Sequence, residues 1–80
     1  MTFYIKVEVR PGMFPSEKSV SFSADSQRYT LFVDDVDLAG EKLKVDIVDE
    51  APGRWVVRLP RETFTSGRTL SVPREIVEHR

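Results

Sequence analysis

The sequence predicts a small all-β domain, a six- to seven-stranded antiparallel barrel or sandwich of the SH3-like or OB-like kind, and three observations carry that expectation. Apolar residues alternate with polar ones, as in Phe3, Ile5, Val7 and Val9 against Tyr4, Lys6, Glu8 and Arg10. A period of two marks a half-buried strand, because successive side chains point to opposite faces of a sheet. The same beat returns in Val20-Phe22-Ala24, Tyr29-Leu31-Val33, Leu43-Val45-Ile47, Trp55-Val57-Leu59 and Leu70-Val72, and no stretch of comparable length keeps the 3.6-residue spacing of a helix. The chain of 80 residues is long enough for one domain only, spanning 1–80.

Taken in order, a first strand is expected at residues 2–10, followed by an irregular segment from Pro11 to Glu17 that two prolines and a glycine keep out of regular structure. A hairpin comes next. With Asp25-Ser26-Gln27-Arg28 as its loop, Ala24 faces Tyr29, Phe22 faces Leu31 and Val20 faces Val33, so one side stays apolar. The acidic segment Asp34–Glu41 leads to a second hairpin, Lys42–Asp49 paired with Arg54–Leu59. Placing Leu43, Val45 and Ile47 on the face of Trp55, Val57 and Leu59 demands an odd loop, and Ala51-Pro52-Gly53 supplies one. That register sets Glu50 opposite Arg54, Val48 opposite Val56 and Asp46 opposite Arg58, giving two cross-strand ion pairs around an apolar pair. Thr65-Ser66-Gly67-Arg68 reads as a tight turn between short strands at 62–65 and 69–72. Pro73–Glu78 suits either a single helical turn or a closing strand.

Composition narrows the classes of function. Without cysteine there is no disulfide and no thiolate metal site, and a cytoplasmic setting is the simplest expectation. No apolar run approaches the roughly 20 residues of a membrane helix, and the N-terminus lacks a secretory pattern. Asparagine is absent, arginine outnumbers lysine eight to four, and valine occurs eleven times. A genome rich in G and C and selection for heat resistance both produce that bias.

Catalysis finds little support. The only histidine, His79, adjoins the last residue of the chain, where an exposed imidazole is expected rather than the base of a nucleophilic triad. The carboxylates Asp34, Asp35 and Asp37 are close enough in sequence for acid–base work, but acidic residues in a surface connection are ordinarily just solvated. Asp35-Val36-Asp37-Leu38-Ala39-Gly40 with Asp46 matches part of an EF-hand loop. Ala39 stands where that loop needs a ligand, Asp46 replaces the bidentate glutamate, and strands flank it instead of helices. No enzyme activity, metal or other cofactor is expected.

Charge is spread unevenly: residues 1–33 sum to +1, residues 34–50 to −5 and residues 51–80 to +3, for a net −1. All basic residues of the last third are arginine. Once Arg54 and Arg58 are assigned to carboxylates, Arg61, Arg68 and Arg74 remain, and arginine forks suit phosphates. With Tyr4 or Phe32 as a stacking surface they define the alternative reading, a nucleic-acid-binding small barrel. Within this region Ser66-Gly67-Arg68-Thr69-Leu70-Ser71-Val72-Pro73-Arg74-Glu75-Ile76 resembles the opening of the swapped-hairpin transcription factors and antitoxins of the AbrB and MazE type. The likeness covers eleven residues, implies a helix after Pro73 and lends weight to DNA binding. A pI near 5.8 lacks the basic footprint of a dedicated nucleic-acid binder.

The favoured expectation is a non-enzymatic binding or assembly module that contacts another protein or a second copy of itself. Its candidate contact residues are Met13 and Phe14 in the first loop, with Phe32, Val48 and Val56, which break the polar half of the alternation. The competing expectation for Met13 and Phe14 is that they fold back and plug an open end of the barrel.

Overall fold

The computed structural model describes residues 2–80. It is all-β, with nine strands in two antiparallel sheets: β1 Phe3–Lys6, β2 Glu8–Pro11, β3 Glu17–Ala24, β4 Gln27–Asp34, β5 Leu38–Ala39, β6 Lys42–Ala51, β7 Arg54–Thr63, β8 Gly67–Pro73 and β9 Val77–His79. One sheet has the order β8-β7-β6-β1-β9 with the two-residue β5 also on β6, and the other has the order β2-β3-β4. Three-residue 3-10 turns at Asp35–Asp37 and Arg74–Ile76 are the only helical pieces among the described residues. No helix among them is long and apolar enough to cross a membrane.

The expected first strand is one extended segment serving two sheets. Its first half pairs with β6 and β9 and its second half with β3, and the changeover falls at Val7, whose N–H donates to the Glu41 carbonyl at 2.9 Å. Alternation runs unbroken through Val7, so Ile5 and Val7 both enter the core. They join Val20, Phe22, Ala24, Leu31 and Val33 of the smaller sheet and Leu43, Val45, Val57, Leu59, Leu70, Val72 and Val77 of the larger one in a single cluster. Each fully buried aliphatic side chain there contributes on the order of 1.5–3 kcal/mol.

The larger sheet is strongly curled. Pro73 and Val77 end strands on its opposite edges, and the residues between them reach about 14 Å at most. A flat path of five strands would hold those edges about 19 Å apart. Curling brings them together, and the β3-β4 hairpin lies in the mouth that is left. A second main-chain bond between the sheets, from the Phe64 N–H to the Thr30 carbonyl at 2.9 Å, ties β4 to the end of β7. The sheets meet without closing into a barrel.

The hairpins keep the expected faces but not the expected loops. β3 and β4 join through Asp25 and Ser26 alone, with Ala24 opposite Gln27, Phe22 opposite Tyr29 and Val20 opposite Leu31. Both turn residues have positive φ, 54° and 65°, as a type I′ turn requires. The shift from the expected pairing is an even number, so the same side chains remain inside. In β6-β7 the odd residue sits within the strand and not in the loop. Asp46 faces Arg58 and Ile47 faces Val57, then the register steps at Val48 so that Asp49 faces Val56, Glu50 faces Trp55 and Ala51 faces Arg54 across Pro52-Gly53. A bulge of this kind bends its strand and adds twist, which a curled sheet needs.

That bulge overturns the expected pairing of Glu50 with Arg54. Arg54 turns to the tip of the β3-β4 hairpin, where its Nη1 and Nη2 donate to Asp25 Oδ1 and Oδ2 at 3.1 and 2.5 Å, while its Nε donates to Ser71 Oγ at 2.9 Å. Glu50 instead accepts from Trp55 Nε1 at 3.3 Å. Asp46 and Arg58, ahead of the bulge, face each other as expected but form no ion pair. Further along, β7 and β8 close through Phe64-Thr65-Ser66, with Thr63 opposite Gly67. The buried Thr63 Oγ1 donates to the Gly67 carbonyl at 2.8 Å and accepts from Ser66 N at 2.9 Å, so no polar atom is stranded there. After Pro73 both readings of the terminus occur in series: a 3-10 turn, Arg74–Ile76, and then the closing strand β9. The helix implied by the eleven-residue resemblance is absent.

Two exposed ion pairs fasten the smaller sheet, Arg54 with Asp25 and Arg28 with Glu8. The hydrogen bond from Arg28, its charge and that of Arg10 hold the Glu8 carboxyl below its usual value, and Arg54 does the same for Asp25 mainly by hydrogen bonding. A carboxyl with a depressed folded pKa binds fewer protons folded than unfolded. Its stabilisation is therefore present above the unfolded value, near 4, and is lost as pH falls through the folded value. Replacing Asp25→Asn is expected to lower Tm at neutral pH and to leave a smaller fall in Tm between about pH 5 and pH 2 than the native chain shows. The difference should shrink in 1 M salt, because exposed pairs are screened.

Candidate protein-contact surface

The loop between β2 and β3 is built around Glu17. Its carbonyl accepts from Gly12 N at 3.0 Å, its N–H donates to the Phe14 carbonyl at 3.0 Å, and its Oε1 accepts from Met13 N at 2.9 Å. Gly12 is required by this closeness, since a Cβ there would lie 2.7 Å from the Glu17 carbonyl oxygen. With its polar backbone turned inward onto Glu17, the loop holds its side chains outward: Met13 is 79% exposed and Phe14 65%. They do not plug the fold.

Glu17 stands opposite Asp34 at the last rung of β3-β4. Beyond that rung the chain turns through Asp35–Asp37, capped by a hydrogen bond from Asp34 N to Asp37 Oδ2 at 3.0 Å, and this turn presents Val36 at 75% exposure. Lys44 Nζ donates to the Val36 carbonyl at 3.1 Å and fixes the turn against β6. Two rungs back, Phe32 meets Phe64 edge to face, ring centroids 5.1 Å apart, with 36% and 59% of each residue exposed. The contact follows from the Phe64–Thr30 main-chain bond, which sets the β7-β8 turn against β4. Five large apolar side chains, Met13, Phe14, Phe32, Val36 and Phe64, thus flank the Glu17–Asp34 end of the smaller sheet. A shallow hollow of about 200 Å³ lined by Glu17, Phe32, Val33, Asp34 and Arg61 lies among them.

Of the contact residues expected from sequence, Met13, Phe14 and Phe32 share this end. Val48 and Val56 do not; Val48 is the exposed bulge residue and Val56 a half-buried neighbour near the other end of β7. Phe64 and Val36 were not among the expected residues. An aromatic residue in the three-residue turn Phe64-Thr65-Ser66 and a valine between two aspartates are the only sequence signals they give.

Each arginine of the alternative reading is engaged within the chain. Arg61 Nη2 donates to Asp34 Oδ2 at 2.6 Å, with its Nε 3.9 Å from Asp37 Oδ2. Asp37 of the EF-hand-like stretch and Asp34 just before it thereby cap a turn and hold an arginine. Arg68 Nε donates to the Leu59 carbonyl at 2.9 Å, satisfying β7 where its pairing with β8 lapses. Arg74 lies over the Trp55 ring, 4.6 Å from its centroid. Tyr4, in β1, has the Arg80 guanidinium 5.9 Å from its ring centroid. His79 is exposed yet paired in β9, its ring 6.0 Å from that of Phe3, which in turn meets Trp55 edge on at 5.5 Å.

No family model, curated protein or solved structure matches the chain. The surface must therefore be judged on its own chemistry. Replacing Glu17→Ala removes the acceptor of the Met13 N–H, and amide exchange at Met13 is expected to speed up roughly tenfold, with the global Tm falling only slightly. A collapse of the whole fold would show Glu17 to hold the sheet and not the loop.

Proposed function

We propose that this protein is a non-enzymatic binding or assembly module, a small cytoplasmic β domain of the SH3-like or OB-like kind that contacts another protein or a second copy of itself. One observation carries the reading: Met13, Phe14, Phe32, Val36 and Phe64 flank one end of the smaller sheet, all exposed, around a charged centre of Glu17, Asp34 and Arg61. Apolar side chains held outward by a hydrogen-bonded loop gain little from burial in the monomer, whereas in a complex they supply the dry core that a polar rim surrounds. The carboxylates of Asp34, Asp35 and Asp37 lie beside this surface and support orientation of an incoming partner, which favours on-rate and register more than affinity.

The double substitution Met13→Ser, Phe14→Ser tests this reading. Both residues are mostly exposed, so Tm is expected to change by little, within the range of about 0.5 kcal/mol usual for surface positions. Concentration-dependent mass by light scattering, or retention of a partner, is expected to be lost, and the loss should hold at high salt because the contact is apolar. A large fall in Tm with unchanged association would contradict the proposal and return the loop to a structural role.

A further inference from the structure

We propose that the gap between β3 and β9 is a strand-addition site, which takes an extended peptide of alternating apolar and basic residues. The inference rests on the free edges left by the curled sheet, not on the apolar surface described above. Among the described residues β9 pairs only with β1, and Phe22, Ser23 and Ala24 pair only with β4, because β2 leaves β3 at Ser21. Between these edges lies a groove of about 420 Å³ lined by Ile5, Phe22 and Ile76 below and by Lys6, Ser23, Glu75 and Glu78 above.

The direction of each free main-chain group follows from the ladder. Ala24 and Gln27 close a two-residue hairpin, so they form a hydrogen-bonded pair, and alternation makes Phe22 a donor and acceptor toward β4 and Ser23 toward the gap. On β9, Arg80 exchanges both of its bonds with Thr2 at 3.0 Å, so Glu78 points to Tyr4, while His79 and the Val77 carbonyl point away. The Val77 N–H is already held by the Arg74 carbonyl. Unpaired donors and acceptors on two edges of one apolar groove are what an added strand satisfies, main chain for affinity and alternate side chains for specificity. Each free edge is three residues long, about 10 Å, enough for roughly three residues of extended chain.

Charge selects the occupant. The groove shares Lys6 and Phe22 with a second hollow carrying Glu8, Glu41 and Arg28, so four carboxylates and two cations line the pair. Arg28 binds Glu8 and Lys42 binds Glu78 at 3.2 Å, while Glu41 and Glu75 have no ion-pair partner among the described residues. Two such carboxylates against the single Lys6 favour a peptide whose outward side chains are basic.

The probe is an acetylated, amidated hexapeptide alternating lysine and valine, titrated into the whole chain and followed by amide NMR. Saturable binding is expected, with shifts centred on Ser23, Val77 and His79 and slowed exchange at the Ser23 and His79 amides. A glutamate–valine peptide should bind at least tenfold more weakly at low salt, and N-methylation of the peptide backbone should abolish binding. Ser23→Pro removes a gap-facing donor but no bond to β4, and should weaken binding about tenfold while leaving the fold intact. Absence of binding, or binding that survives N-methylation or shifts only the Met13–Phe14 end, would overturn the proposal. N-methylation controls decide the matter even if Ser23→Pro does not fold, and absence of binding in the groove leaves the apolar surface untouched.

Discussion

Everything in this fold hangs on one extended segment, Phe3–Pro11, working for two sheets with its changeover at Val7. The larger sheet must curl to offer β6 and β9 to the first half, and the smaller sheet must follow the second half away. The core is whatever those diverging surfaces enclose. Val7 is buried and its N–H reaches Glu41 instead of a ladder partner, so the junction is held by one hydrogen bond and by packing. The other junction, Phe64 to Thr30, is equally slender. Joining two sheets at such points leaves an open seam, and the same geometry turns the loop at Gly12–Ser16 and the turn at Phe64 outward.

Much of this was legible in the alternation of the sequence, and the limits of legibility have physical causes. Side-chain parity names the inner face of every long strand, and Leu43, Val45, Val57 and Leu59 lie where parity puts them. Parity is blind to even shifts, so the β3-β4 loop shrank from four residues to Asp25-Ser26 without moving one side chain to the other face. It is blind as well to where an odd residue resides. Ala51-Pro52-Gly53 as a loop and Val48 as a bulge satisfy the same count, but only the bulge bends β6, and it moves Glu50 from Arg54 to Trp55. Sheet switching at Val7 left no mark because the alternation does not pause there.

The charged residues show why pairing inferred from neighbours in sequence misled. Arg54 and Arg61 each found an acceptor on an element distant in the chain: Asp25 at a hairpin tip and Asp34 at the end of β4. These positions depend on how the sheets cross, which local spacing does not encode. The candidate surface was readable only in part for the same reason. Met13 and Phe14 stood out in an irregular segment, whereas Phe64 gained its meaning from Phe32, a residue far away in the chain.

The open seam is the central claim, and native-state amide hydrogen exchange tests it most directly. In the unliganded protein the Val7 and Phe64 amides, which hold the two junctions, should be protected well above neighbouring loop amides, while Ser23 and His79 exchange close to their unprotected rates. Protection of Ser23 and His79 equal to that of the core strands, with no peptide present, would mean that β3 and β9 pair and the barrel is closed, contrary to this account.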